Sequence, residues 1–279
     1  MKPKKQRLDV LLVERGLSET REKAKRAIMA GIVFSNEIRL DKPGDKVNED
    51  IPLQIKGNIL PYVSRGGLKL EKALKEFHIS VHDKILLDIG ASTGGFTDCA
   101  LQNGAKLSYA LDVGYNQLAW KLRNDPRVVV MERTNFRYVN PADFIKEMPN
   151  LASIDVSFIS LKLILPVLKQ LLCNESDVIA LIKPQFEAGK EQVGKKGIIR
   201  DPKIHEEVIN KIKDFSLQEG YDVINITYSP ITGGEGNIEF LLHLHWSGDH
   251  KTDHPGTDKL SVNIHEIVKQ AHTHLNLRN

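Results

Sequence analysis

Four charged side chains stand at the edges of otherwise apolar runs: Lys69 in Ser64-Arg65-Gly66-Gly67-Leu68-Lys69-Leu70, Asp155 closing Ala152-Ser153-Ile154-Asp155-Val156, Lys183 closing Ile179-Ala180-Leu181-Ile182-Lys183-Pro184, and Glu239 in Asn237-Ile238-Glu239-Phe240. Gathered in one place, two ammoniums and two carboxylates would neutralise one another, which lets charges be buried. Such a cluster can orient a weak nucleophile and manage one proton. Taken singly, each also reads as a surface ion pair, Lys69 most of all.

A second constellation is Asp88-Ile89-Gly90-Ala91-Ser92-Thr93-Gly94-Gly95-Phe96. Glycines let backbone approach a ligand closely, and a helix beginning after them presents free N–H groups. The spacing of Gly90, Gly94 and Gly95 departs from the GxGxxG fingerprint, which disfavours a pyrophosphate. Asp112, at the end of the next apolar run, suits a ribose diol, because a carboxylate accepts hydrogen bonds from vicinal hydroxyls. Loop and acid together indicate a nucleoside cofactor and leave S-adenosylmethionine and NAD both open. A tight turn with no ligand is the plain alternative.

The elements that must position these residues alternate. Strand-like runs at Lys84–Ile89, Leu107–Val113, Val128–Met131, Ala152–Val156 and Val178–Lys183 are separated by helical patterns such as Phe96–Asn103, Leu161–Leu172 and Lys203–Glu219, the last with Asp201 as N-cap and Pro202 at N1. That alternation predicts a parallel sheet covered on both faces, with the charged residues at its ligand-binding edge. Val223–Tyr228 and Ile238–Trp246 have no helix between them and should close the sheet as an antiparallel pair.

The first sixty residues differ in character. Leu8, Leu11 and Leu12 recur at helical spacing from Gln6 to Leu17, and Ser18 or Thr20 caps a second helix that ends at Gly31. This second helix carries Arg21, Lys23, Lys25 and Arg26. The net charge of +3 divides unevenly: residues 1 to 62 hold 13 basic and 9 acidic residues, for +4, and the remainder carries −1. A cationic helix face fits a polyanion and equally fits a solvated surface.

With 279 residues, 41% hydrophobic and 27% charged, the chain reads as folded and soluble, one enzyme-sized domain plus a small addition. It lacks an apolar run of about eighteen residues and an uninterrupted secretory h-region, so a cytoplasmic location is expected. Cys99 and Cys173, 74 positions apart, are neither a disulfide framework nor a zinc spacing.

Arg7-Leu8-Asp9 with Leu12, Gly16, Arg21, Ala24, Ile28 and Gly31-Ile32-Val33 resembles the small RNA-binding domain named for a ribosomal small-subunit protein, the S-four domain. The rest of the chain resembles the S-adenosylmethionine-dependent methyltransferases related to FtsJ, in which Lys-Asp-Lys-Glu forms the catalytic tetrad for ribose 2′-O-methylation. The order Lys69, Asp155, Lys183, Glu239 matches that tetrad residue by residue. Together with Asp155-Val156-Ser157-Phe158-Ile159-Ser160, Lys183-Pro184-Gln185-Phe186-Glu187 and Gly236-Asn237-Ile238-Glu239-Phe240, the whole chain is similar to the hemolysin A (TlyA) family of ribosomal RNA cytidine-2′-O-methyltransferases.

The resemblance implies an α/β fold: a Rossmann-like seven-stranded methyltransferase domain with a small N-terminal α+β RNA-binding domain. Its boundaries would be 1–60 for the RNA-binding domain, 61–67 for a linker, 68–246 for the methyltransferase and 247–279 for a tail with a helix near Val262–Leu275. It implies S-adenosylmethionine as cofactor, held by Asp88, Gly90, Ala91, Ser92, Thr93, Gly94, Gly95, Phe96, Asp112 and Asn135. RNA contacts would come from Arg7, Arg21, Lys25, Arg26 and Arg65, with Arg133 and Arg137 as weaker candidates. The partner would be ribosomal RNA or a ribosomal subunit, and no membrane; subunit, nucleotide and oligomeric state are not specified.

In the implied reaction Lys183 is either a neutral base or a cation that lowers the hydroxyl pKa, Asp155 orients it, Lys69 adds positive charge and Glu239 anchors the group. An unperturbed lysine is neutral in only about one molecule in 2,500 at pH 7, which limits the base role. A non-catalytic assembly factor and a membrane-active hemolysin are the competing readings. Seven of the ten histidines follow residue 240, among them His243, His245, His250, His254, His272 and His274, without an accompanying ligand set at standard spacing, so no metal is expected.

Overall fold

The run Ile85–Ile89 is apolar but for Asp88 and buried on both sides throughout, as an interior strand of a seven-stranded sheet requires. The computed structural model describes residues 5–29, 31–57, 60–194, 196–248 and 255–276. They fall into two units, Met1–Pro61 and Tyr62–Asn279.

In the first unit a short strand, β1 (Lys5–Arg7), pairs antiparallel with β4 (Lys46–Asn48), and β2 (Val33–Ser35) lies between β3 (Ile38–Arg39) and β5 (Gln54–Ile55). Two helices, α1 (Leu8–Glu14) and α2 (Arg21–Met29), bury Leu8, Leu11, Leu12, Ala24, Ala27 and Ile28 against Val33 and Leu53. The expected helix from Gln6 therefore begins two residues late, because Lys5–Arg7 is taken by strand pairing. Gly16 and Gly31, at φ +68° and +70°, end the helices in the left-handed region as the sequence predicts.

The second unit runs α3 (Gly66–Phe77), β6 (Ile85–Ile89), α4 (Gly95–Gln102), β7 (Leu107–Leu111), α5 (Trp120–Arg123), β8 (Val128–Met131), β9 (Leu151–Ile154), α6 (Leu165–Leu168), β10 (Ser176–Ile182), α7 (Pro184–Glu187), α8 (Pro202–Gln218), β11 (Asp222–Tyr228), β12 (Phe240–Trp246) and α9 (Ile264–Asn276). The sheet order is β11-β12-β10-β9-β6-β7-β8, parallel from β10 to β8, with β12 antiparallel to both β10 and β11. Gly66 and Gly67 open α3 rather than forming part of a connecting stretch. A helix over Leu161–Leu172 does not form as one piece: Pro166, in the first turn of α6, lacks the N–H that would bond back to Lys162, so α6 starts separately from the short 3-10 turn Leu161–Leu163. Asp201 caps α8 as expected, accepting the Lys203 N–H at 2.9 Å.

Among the described residues no group of three or more His, Cys, Asp and Glu is placed to hold a metal ion. His250 and His254 lie outside the described residues. His243 and His245 pair with Asp177 and Glu175, and His274 with Tyr228. His205 of α8 is fully buried, with Nδ1 3.0 Å from Nε2 of His272 on α9. Burial, aided by His272, pushes His205 down to about 4. An unfolded histidine protonates near 6.5, so below that value the open state binds more protons than the closed one. Stability should thus be constant above about pH 6.5 and fall between 6.5 and 4. Hydrogen exchange across 264–276, corrected for intrinsic rates, should quicken from pH 7.5 to pH 5, and His205→Leu should flatten the trend; unchanged protection in the unmodified protein would count against this.

Candidate active site

The parallel strands deliver their polar residues to one edge. Asp155 follows β9, Lys183 follows β10, and Glu239 precedes β12; the pairing of Ile182 with Phe240 sets Lys183 and Glu239 level with each other. Lys69 comes from the first turn of α3. Its Nζ lies 2.8 Å from Glu239 Oε2 and 3.2 Å from Asp155 Oδ2. The other Asp155 oxygen, Oδ1, is 2.6 Å from Lys183 Nζ, which also donates to Ser157 Oγ at 3.1 Å. The result is one line of alternating charge, Glu239, Lys69, Asp155, Lys183.

Burial alone would push Lys69 below its ordinary pKa, but Asp155 and Glu239 outweigh it and hold the value up. Burial likewise opposes ionisation of Asp155, and Lys69 and Lys183 overcome it, so its carboxyl stays below the usual range. The inner pair is therefore held ionised by its neighbours. Lys69, with a carboxylate on either side, is committed as a cation, whereas Lys183 touches one carboxylate and one hydroxyl.

Two clefts adjoin this line and share Gly90, Ser92, Asp155 and Ser157. The first cleft, about 360 Å³, is lined by all four charged residues together with Arg65, Thr93, Phe96 and the 231–234 segment. The second, about 460 Å³, is lined by Asp112, Gln117, Asn135 and Phe158 among others, and lies in the size range of small-molecule sites. Asp112 accepts the Ser92 N–H at 2.8 Å on one oxygen and the Gly114 N–H at 2.7 Å on the other. Each oxygen keeps acceptor capacity toward the cleft, which is what a vicinal diol needs. Asn135 Oδ1 accepts the Arg137 N–H at 3.2 Å and lines the same cleft. These donors, acceptors and glycines fit an adenosine-containing cofactor.

Not every expected residue faces that space. Asp88 is fully buried: one oxygen accepts the Thr97 N–H at 3.1 Å and its hydroxyl at 2.7 Å, and the other accepts the Ser153 hydroxyl at 2.9 Å. Burial pushes its pKa up to about 6. Asp88 thus holds the loop and the neighbouring strand, and with no exposed surface it lines neither cleft. Gly94, at φ +95°, caps α4 and faces Leu118 and Leu122, whereas Gly95 both gives room to Ser64 and the start of α3 and lines the first cleft. Gly90, Ala91, Ser92, Thr93 and Phe96 do line the clefts.

Among the expected RNA contacts, Arg65 is exposed and lines the first cleft. In the first unit, Asp9 is fully buried and receives Arg7 at 3.0 Å and Arg21 at 2.8 Å. The Arg7 hydrogen bond, joined by Arg21 and opposed by burial, lowers Asp9 to about 2. Asp9 so fixes two half-exposed guanidiniums in place. Lys25 pairs with Glu22 at 2.7 Å, and Arg26 is exposed.

Sequence reasoning missed Ser157, Gln117 and the 231–234 wall. Ser157 and Phe158 lie two and three residues after Asp155, so their place just past the strand end was a usable signal. Gly233 was visible only as a turn glycine, yet a Cβ there would collide with the Glu239 carboxylate. Gln117 carried no signal, because its approach depends on how 113–119 folds over the cleft.

If Asp112 takes the ribose hydroxyls, Asp112→Ala should weaken S-adenosylmethionine binding by about thirtyfold, the worth of charge-assisted hydrogen bonds near 2 kcal/mol. Isothermal titration checks this; an affinity within threefold of the unmodified protein would remove Asp112 from the site.

The FtsJ-like methyltransferase family matches residues 62–246 and the S4 domain matches residues 6–50. The chain is 70% identical to the candidate rRNA methyltransferase YqxC of Bacillus subtilis over 98% of its own length and 96% of that protein. It is 40% identical to the 16S/23S rRNA (cytidine-2′-O)-methyltransferase TlyA of Mycobacterium tuberculosis, covering 95% of this chain and 98% of that one. A solved candidate hemolysin from Streptococcus thermophilus superposes with a TM-score of 0.76 at 55% identity, covering 100% of this chain and 99% of that one. A charge line of this order beside a nucleoside-sized cleft, carried on a chain that matches these relatives from end to end, has one classification: the chain belongs to the FtsJ-like methyltransferases and, with its S4 domain, to the hemolysin A/TlyA family within them.

Proposed function

We propose that the protein methylates a ribose 2′-hydroxyl of ribosomal RNA, at cytidine, using S-adenosylmethionine, in the cytoplasm where ribosomal subunits are available to it. The observation that carries this reading is the unbroken line Glu239–Lys69–Asp155–Lys183 at the joint of the two clefts. When bound, S-adenosylmethionine supplies a methyl group already activated by its sulfonium. What the chain must add is alignment and the handling of one proton.

Lys183 is the group that meets the hydroxyl. Asp155 sets its position through the 2.6 Å contact, and Ser157 supplies a second point of attachment. Lys69, fixed as a cation between two carboxylates, places positive charge beside the oxygen as it loses its proton. Glu239 holds Lys69 from behind and keeps the group balanced in charge. Asp112 and Asn135 would hold the nucleoside half of the cofactor, and Gly90, at the boundary, admits both ligands.

On the RNA side, Arg7, Arg21 and Arg26 of the first unit would contact phosphates without reading bases, and Arg65 would guide the backbone into the first cleft. Phe158, 90% exposed, offers its ring to an unstacked base at the cleft mouth. No described helix is long and apolar enough to cross a membrane, and no observation favours a lytic role.

Incubating the protein with tritiated S-adenosylmethionine and ribosomal subunits from cells lacking it tests the proposal. Label should enter one or a few cytidine riboses, located by mapping 2′-O-methylation. Absence of transfer to every ribosomal RNA, in subunits and free, would sink it.

A further inference from the structure

Glu187 is a buried carboxylate that the charge line does not use. It closes α7, the single turn that begins directly after Lys183, and is only 5% exposed. Its Oε2 accepts the Ser160 hydroxyl at 2.6 Å and its Oε1 the Leu161 N–H at 2.7 Å. Burial raises its pKa against the pull of those two donors. Its own carbonyl accepts Lys211 Nζ of α8 at 2.7 Å, which anchors the end of the turn.

The same turn grips the opposite segment at two further places. Lys183 holds Asp155 and Ser157, and the Phe186 ring lies 4.9 Å from the Phe158 ring. Residues 183–187 and 155–161 are therefore joined at both ends and in the middle. The segment so held is strained: Phe158 has φ +63°, a region that a bulky side chain avoids, and its exposure means that burial of its own ring does not keep it there. Such a backbone persists only where its surroundings over-determine it. Local capping does not account for Glu187, because Ser160 Oγ already caps the next turn by accepting the Lys162 N–H at 3.1 Å.

We infer that Glu187 is a positioning residue for RNA: it holds 158–161 so that Phe158 stands between the cofactor-side cleft and an open outer cleft of about 510 Å³ lined by Arg137, Ile159, Leu163 and Phe186. This rests on the RNA-methylation reading above. Glu187 acts through the loop and touches neither ligand. Gln at this position keeps both contacts, its carbonyl accepting the Leu161 N–H and its amide donating to Ser160 Oγ, whereas Ala loses both.

The test compares Glu187→Ala, Glu187→Gln and Ser160→Ala in the full chain. For Glu187→Ala, KM for ribosomal RNA should rise about tenfold, and by more than any loss of S-adenosylmethionine affinity, because Asp112 and Asn135 on the far wall of the cofactor-side cleft are untouched. Chymotryptic cleavage after Phe158, read by mass spectrometry without RNA, should accelerate. Glu187→Gln should behave as the unmodified protein in both assays. An Ala variant with unchanged RNA KM and unchanged cleavage overturns the inference, as does a Gln variant as impaired as Ala. Should Glu187→Ala not fold, Ser160→Ala removes one of the two contacts and should shift both readouts in the same sense by a smaller factor; no shift there overturns it equally. The cleavage readout needs neither RNA nor turnover, so a failure of the methylation reading is seen separately, as absence of transfer by the unmodified protein.

Discussion

Replacing Lys183 with alanine is expected to slow methyl transfer about a thousandfold, within the range of a lost proton-handling group, while S-adenosylmethionine binds within twofold of the unmodified affinity. The fold should survive, because Asp155 keeps Lys69 at 3.2 Å and so is not left as an isolated buried charge. Single-turnover transfer at saturating RNA and cofactor isolates the chemical step; activity within tenfold of the unmodified protein would dismiss Lys183 as the reacting group. Lys183→Arg separates the two chemical roles. A guanidinium keeps the charge and cannot act as a base near neutral pH, so substantial turnover by Lys183→Arg would favour electrostatic stabilisation and its loss would favour proton abstraction.

The second large effect is expected from Gly90→Ala. Gly90 sits at φ +86°, and a Cβ there would collide with the Asp155 carbonyl oxygen, which is backbone and cannot swing aside. It also lines both clefts. The loop must therefore shift, and the shift acts on two functions at once. S-adenosylmethionine affinity and turnover at saturating cofactor should each fall by roughly ten- to a hundredfold, the scale on which ångström displacements act. A variant that lost only affinity, with full turnover once saturated, would show that Asp155 does not feel the loop.

The charge line was legible because charge at the end of an apolar strand is costly and needs a reason. Lys183 and Asp155 each stop a run that would otherwise continue as core, and the alternation of strands and helices placed both at one edge. The clefts were less legible. Asp88 looked like a ligand residue because it precedes the glycines, yet it lies inside β6, where both faces are covered and Thr97 and Ser153 reach it first. Pairing across the fold hid Asp9 as well: its spacing from Arg21 shows nothing of a contact made when α1 packs on α2. Pro166 was visible, and its effect on the Leu161–Leu172 pattern is local chemistry that periodicity overrode.

Strand β12 runs against β10, so Glu239 reaches the ligand edge before its strand begins, whereas Asp155 and Lys183 reach it after theirs end. Seven backbone pairs from Ser176–Trp246 to Ile182–Phe240 fix where Glu239 falls. The turn from 229 to 238 can then lengthen or shorten without sliding Glu239 out of step, provided that a residue without a side chain faces the carboxylate where Gly233 does now. The register of β12 and the length of the turn ahead of it are in this sense independent: one is set by the sheet, the other is free at the edge of the cleft.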